Sequence, residues 1–328
     1  MSATKPRIVI LDSFAADQGD PTYTWEGLRA LGELAVFPRS TEDEVIERVR
    51  GSLAVLTNKV QVRRELFEMF PEIRYVGVLA TGTNIVDLDA AKEHGVAVTN
   101  VPGYSTDAVA QLVFALLLKL THDVAAHDAA VKAGRWASSA DFCFFEQPLM
   151  ELAGKTMAVV GTGSIGGAVA RIAEAFGMHV LSAAVPGSPQ RPGVVRVRLP
   201  DALAEADIVT LHCPLTPQTR GFVDATFLRA MKEKAILVNT GRGALVNEGD
   251  LRDALASGRL GGVALDVLTH EPPPADHPLL DPRAPWAQRL VVTPHIGWGT
   301  LEARRRLEQA VTRNLAAFLG GERANRIV

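Results

Sequence analysis

Three residues with chemistry to offer stand just beyond short apolar runs. Arg242 lies between two glycines in "NTGRGALV". Glu271 precedes three prolines in "HEPPP", and His295 sits between Pro294 and Ile296 in "TPHIGW". A guanidinium is a planar fork of donors that suits a carboxylate. An imidazole gives and takes protons near neutral pH, and a carboxylate beside it favours its charged form. Taken singly, each has a plain structural reading: a solvated arginine, a loop charge, a histidine at a strand end. Together they could bind a carboxylate and move a proton at a neighbouring oxygen.

A fourth feature supplies a context. Gly161-x-Gly163-x-x-Gly166 follows the apolar run "MAVV" and opens the helical pattern "SIGGAVARIAEAFG". In such a strand–turn–helix the first glycine permits the tight turn, the second admits a pyrophosphate, and the third lets helix and strand pack closely. The helix N-terminus adds free N–H groups and positive potential. The pattern therefore predicts dinucleotide binding. An acid that bonds the ribose 2′-hydroxyl is expected about 20 residues further on. That place falls at Ala183 or Ala184, followed by "VPGSPQR" with Ser188 and Arg191. Without the carboxylate nothing repels a 2′-phosphate, and a hydroxyl and a guanidinium are phosphate-binding groups. The stretch predicts NADP(H) in preference to NAD(H). Beside such a cofactor, Arg242, Glu271 and His295 fit one reaction, reduction of a 2-keto acid. It needs a cation for the carboxylate, an acid for the carbonyl oxygen and a group that tunes the acid.

The elements that must position these residues are legible as alternating patterns. "RIVILD", "LAVLTN", "YVGVLA" and "VAVTNVP" read as strands, with helices between them. Thr41 and Glu44 form a capping-box pair, and Asp87 is a helix cap. A second series begins at "TMAVVG" and continues through "DIVTLHCP", "AILVNTG", "GVALDV" and "LVVTPH", with Asp224 and Asn247 as caps. This order predicts an α/β chain with parallel sheets covered by helices on both faces. Between the two series one broad apolar stripe, Val109, Leu112, Val113, Leu116, Leu117 and Leu120, predicts a long helix from Ser105 that ends at Gly134. An irregular aromatic stretch follows it.

Composition excludes several classes. The 328 residues are 47% hydrophobic and 22% charged, enough for about two globular domains. A net charge of −3 gives no basic field for nucleic acid. The two cysteines, Cys143 and Cys213, make no disulfide framework, which fits a reducing compartment. The run "VFALLLKL" is too short to span a bilayer. A cytoplasmic protein is expected, with no nucleic-acid, membrane or metal partner.

The sequence resembles the D-isomer-specific 2-hydroxyacid dehydrogenase family, nearest its hydroxypyruvate reductase or glycerate dehydrogenase branch. "GTGSIGGAVARIAEAFGM", "DIVTLHCPLTPQTRGFV", "LVNTGRGALVNE", "ALDV", "HEPP" and "TPHIGW" carry the resemblance, with "VLATGTNIVDLDAA" and "VTNVPGYSTDAVAQ" earlier in the chain. It implies two doubly wound parallel-sheet domains, a flavodoxin-like substrate domain (1–102 plus 296–328) and a Rossmann domain (103–295), with the active site in the cleft between them. It implies that Arg242 binds the substrate carboxylate and carbonyl, that His295 is the acid/base and that Glu271 hydrogen-bonds to it. Leu79, Ala80, Thr81 and Gly82 would offer backbone N–H groups to the carboxylate. Cofactor contacts would come from Thr106, Gly161, Gly163, Ser164, Ile165, Gly166, Ala184, Ser188, Arg191, Cys213, Pro214, Thr219, Thr240, Gly241, Arg242, Asp266, His295 and Gly297. The segment Ser105 to Gly134 and the aromatic loop after it would be a homodimer arm. The implied reaction reduces a small 2-keto acid of the hydroxypyruvate or glyoxylate type to its D-2-hydroxy acid. The alternatives are an NAD(H)-sensing corepressor-like protein on the same fold, and a formate or phosphite dehydrogenase of the family. Formate dehydrogenases of this kind pair the histidine with glutamine, against which Glu271 stands.

Overall fold

The computed structural model describes residues 5–189 and 195–328. The chain divides into two compact units, Met1–Ser105 with Trp298–Val328, and Thr106–Gly297.

In the first unit five strands, β1 (Arg7–Ile10), β2 (Glu33–Val36), β3 (Ala54–Thr57), β4 (Tyr75–Val78) and β5 (Ala97–Thr99), form a parallel sheet in the order β2-β1-β3-β4-β5. This is the flavodoxin-like order. Every residue of β3 and β4 is buried, as a sheet covered on both faces requires. The helix Glu42–Val49 starts at the Thr41–Glu44 capping box, and Leu88–Glu93 starts where Asp87 accepts from Ala90 N–H. The helix Leu301–Leu319 returns to this unit, and its Phe318 ring lies 5.0 Å from that of Tyr75 on β4.

In the second unit β6 (Thr156–Val160), β7 (His179–Ala183), β8 (Ile208–Leu211), β9 (Ile236–Asn239), β10 (Gly262–Leu265) and β11 (Leu290–Val292) form a parallel sheet in the order β11-β10-β9-β8-β6-β7. Outside β7 a single parallel bridge joins Ala183 to Val197. Counting that bridge as a reduced third strand gives the 3-2-1-4-5-6 order of the dinucleotide-binding fold, with β11 as a seventh strand at the far edge.

The helix expected from Ser105 to Gly134 is two helices, Thr106–His122 and Val124–Lys132, bent by 54°. The break is Asp123, which adopts φ 42° and accepts from Ala126 N–H as the cap of the second helix. The first helix buries Val113, Leu116 and Leu117 against the sheet, whereas the second buries none of its residues. The apolar stripe ends at the bend, and there the requirement for one straight helix ends with it. Among the described residues no single helix is long and apolar enough to cross a membrane.

Candidate active site

The glycine turn leaves β6 with geometry that only glycine permits. Gly161 has φ +98°, and a Cβ there would lie 2.8 Å from the backbone of His212 and Cys213. A Cβ on Gly166 would lie 2.0 Å from the carbonyl oxygen of Gly161. A Cβ on Gly163 would meet nothing within 4 Å, so this side of the turn is open. Helix Ser164–Ala175 begins there with no side-chain cap, which leaves its first N–H groups to a ligand. Ile165 is half-buried against the core under the sheet. Nearby, Thr240 Oγ1 is buried and has no hydrogen-bond partner among the described residues. An open glycine cradle, an uncapped helix start and an orphaned hydroxyl fit a dinucleotide.

The neighbouring residues are mostly structural supports. Thr219 is fully buried and donates from Oγ1 to the Pro214 carbonyl at 2.7 Å, closing the turn after β8. Burial pushes the Cys213 thiol up to about 11 and the His212 imidazole down to about 4, so both are uncharged at neutral pH. His212 Nε2 is paired with Thr210 Oγ1 at 2.9 Å. Beyond β7, Ala184 N–H donates to the Val197 carbonyl, and Ser188 lies in the tight turn closed by its N–H to Val185 O at 3.1 Å. Arg191 lies outside the described residues. Thr106 is the first residue of its helix.

Arg242 follows β9 on a turn that Asn239 holds from both sides. The Asn239 side chain donates to the Arg242 carbonyl at 2.9 Å and accepts from Gly241 N–H at 3.0 Å. Arg242 Nη1 donates to the Gly241 carbonyl at 2.8 Å. No carboxylate among the described residues pairs with the guanidinium. The next residue, Gly243, is pressed against Leu268, where a Cβ would fall 1.9 Å from the Leu268 carbonyl carbon. That contact fixes the Arg242 turn against the loop that carries Glu271.

Glu271 and His295 meet on that loop. Nδ1 of His295 and Oε2 of Glu271 are 2.6 Å apart, and Glu271 Oε1 accepts from Leu268 N–H at 3.0 Å. A carboxylate only accepts, so Nδ1 carries the proton of this bond and Nε2 is the other nitrogen that can exchange one. Both side chains are about a third exposed, at 28% and 31%, so the pair is reachable from solvent. His295 has φ +55°, an uncommon backbone state for a residue with a side chain. The segment is held there by Asp266, which is almost fully buried. Its Oδ1 accepts from Thr293 Oγ1 at 2.6 Å and Ile296 N–H at 2.9 Å, and its Oδ2 from Gly297 N–H at 2.8 Å. Glu248 braces the other side of the loop, accepting from Thr269 N–H at 2.7 Å. A cavity of about 420 Å³ borders the pair, with an apolar lining that includes Leu268, Pro272, Pro273, Leu280 and Val292.

The reading of the sequence did not single out the supporting roles of Asn239 and Glu248. Both are ordinary polar residues whose partners become visible only in three dimensions.

In the first unit, the turn Leu79–Gly82 after β4 has its carbonyls tied inward. Asn58 Nδ2 donates to Leu79 O at 2.7 Å, Val101 N–H to Ala80 O at 3.0 Å and Asn100 Nδ2 to Thr81 O at 2.6 Å.

Residues 114–297 match the family model described as "D-isomer specific 2-hydroxyacid dehydrogenase, NAD binding domain". The chain is 43% identical to a hydroxypyruvate reductase of Blautia hydrogenotrophica, over 97% of this chain and 98% of that one. The chain belongs to the D-2-hydroxyacid dehydrogenase family. A glycerate dehydrogenase of Methylorubrum extorquens is 38% identical over 87% of this chain and 88% of its own. An acyclic imino acid reductase solved with NADPH and D-Arg superposes with a TM-score of 0.82 at 28% identity, covering 98% of this chain and 100% of that one. The dehydrogenase is therefore an NAD(P)-linked oxidoreductase of 2-keto and 2-hydroxy acids.

Proposed function

We propose that the dehydrogenase reduces hydroxypyruvate or glyoxylate to the corresponding 2-hydroxy acid, D where the product is chiral. The observation that carries this reading is the His295–Glu271 contact at 2.6 Å, together with an Arg242 guanidinium that has no carboxylate partner among the described residues. The substrate carboxylate pairs with the Arg242 fork. The protonated imidazole of His295 gives its Nε2 proton to the keto oxygen, while Glu271, bonded to Nδ1, holds the ring in place. A nicotinamide dinucleotide held at the Gly161–Gly166 turn would supply the hydride for the keto carbon. In the oxidative direction neutral His295 accepts the hydroxyl proton. The test is a panel of 2-keto acids assayed with both cofactors. Hydroxypyruvate or glyoxylate should give the highest kcat/KM, and turnover of neither would overturn the reading.

NADP(H) is proposed as the preferred cofactor. Ala183 and Ala184 stand where an acid would meet the ribose, and Ser188 follows in the turn beyond. Wild-type enzyme should show the higher kcat/KM with NADPH. Ala184→Asp should restore the ribose acceptor and repel a 2′-phosphate. A charge-assisted contact is worth roughly 1.5–3 kcal/mol, or about ten- to a hundredfold, and the cofactor ratio should move toward NADH by that order. A ratio that does not move would show that this strand end is remote from the ribose.

A homodimer is proposed through the arm after Asp123. Helix Val124–Lys132 buries nothing, and Trp136, Phe142 and Phe145 are 53%, 89% and 62% exposed. Contiguous exposed aromatics are characteristic of an interaction surface. Phe142→Glu with Phe145→Glu should shift the particle to monomer mass in sedimentation, and a wild type that is already monomeric at micromolar concentration would remove the arm from this role. A cytoplasmic location is proposed on the absence of a disulfide framework.

A further inference from the structure

We propose that Arg196, together with Ser188, forms the 2′-phosphate site of this enzyme. The proposal rests on the reading that NADP(H) is the cofactor, and assigns that preference to a side chain outside the loop where such a contact is first sought.

The register of the sheet brings the relevant chain ends together. Val160, the last residue before the glycine turn, is the parallel partner of Ala183, the last residue of β7. Ser182 Oγ donates to Thr162 Oγ1 at 3.2 Å, tying the end of β7 to the glycine turn itself. A cofactor whose pyrophosphate lies on that turn has its ribose beside Ala184. Val197 then joins the same strand end from the other side: its N–H donates to Ser182 O at 2.8 Å and its carbonyl accepts from Ala184 N–H at 2.9 Å. This reduced strand places Arg196 next to the position that lacks an acid.

The guanidinium already reaches back over the turn. Arg196 Nη1 donates to Ser188 Oγ at 3.3 Å and to the Pro189 carbonyl at 3.2 Å. Both bonds are long, and both acceptors are neutral. Phosphate oxygens would take charge-assisted bonds of roughly 2.7–2.9 Å from the same nitrogens. The Ser188 hydroxyl, an acceptor here, keeps its own hydrogen for a phosphate oxygen. The turn is fixed at Gly187, which has φ +71° and would bring a Cβ to 3.0 Å of the Gln218 side chain. Arg196 has no carboxylate partner among the described residues, whereas its neighbour Arg198 faces Asp201 at 3.8 Å. One arginine of this strand is thus turned to an acid, and the other to a hydroxyl beside the ribose position.

The test measures binding without hydride transfer, by calorimetry with 2′,5′-ADP, which carries the 2′-phosphate, and with 5′-AMP, which does not. Wild-type enzyme should bind 2′,5′-ADP more tightly. Arg196→Ala should weaken 2′,5′-ADP about ten- to a hundredfold and change 5′-AMP less than about twofold, since one ionic hydrogen-bonding partner is lost. Ser188→Ala should show the same selectivity with a smaller loss. Retained 5′-AMP binding certifies the fold of each variant. If Arg196→Ala binds both ligands as wild type does, while wild type still favours 2′,5′-ADP, the assignment is wrong and the NADP(H) reading survives. Equal loss of both ligands would make Arg196 a loop support and would also overturn it. A wild type that does not distinguish the two ligands would remove the NADP(H) reading and this proposal together.

Discussion

His295→Ala should lower the rate of keto-acid reduction at least about a hundredfold, the low end of what a positioned acid or base contributes. Its Nδ1 is bound to Glu271, and its Nε2 is the nitrogen proposed to give the proton. Alanine is also awkward at φ +55°, where a Cβ is uncomfortable. His295→Asn separates the two effects. Asparagine tolerates left-handed backbone better than most residues but does not transfer a proton. It should fold with near wild-type thermal stability and be as inactive as the alanine variant. Glu271→Gln keeps the shape but replaces the acceptor-only carboxylate on Nδ1 with an amide, so the ring loses the partner that fixes its orientation and tautomer. Reduction should be slower in Glu271→Gln than in wild type, with KM for the keto acid changed less than kcat. An active His295→Asn enzyme would take the histidine out of proton transfer. A Glu271→Gln enzyme as fast as the wild type would uncouple the pair.

What the sequence made legible is what short-range chemistry determines. The Thr41–Glu44 box and the caps Asp87, Asp224 and Asn247 work within three residues of themselves, and each makes the expected bond. The strands show because buried parallel strands are continuous apolar runs. The bend at Asp123 did not show, because helix-forming residues, Ala125, Ala126, Ala129 and Ala130, continue past it although the apolar stripe has stopped. The third strand of the nucleotide unit was missed for a similar reason, since a single bridge at Val197 has too little apolar pattern to stand out. In the site, the residue types were visible and their supports were not. Asp266 holds the His295 segment across 30 and 31 positions of chain, and Glu248 reaches Thr269 across 21. No local spacing encodes those bonds.

Arg242→Lys should raise KM for the keto acid and lower kcat together, with kcat/KM falling roughly ten- to a hundredfold for the loss of a charge-assisted hydrogen bond of about 1.5–3 kcal/mol. Charge is conserved in this change and geometry is not. The guanidinium can anchor one nitrogen on the Gly241 carbonyl, as it does at 2.8 Å, and still present donors in a fixed plane. An ammonium on a flexible stem is a point charge without a fork, so the carboxylate loses orientation as well as a contact. The backbone has little freedom to compensate. Asn239 clamps the turn on one side, and Gly243 is wedged against Leu268 on the other. That wedge also gives the prediction its sharpest control. Gly243→Ala leaves the arginine in place but drives a Cβ into the Leu268 backbone, whose N–H holds Glu271. It should disturb both the arginine turn and the Glu271–His295 pair, and so lower kcat further than Arg242→Lys does, with KM raised in both. Wild-type kinetics for Arg242→Lys on the best keto acid would place substrate recognition elsewhere.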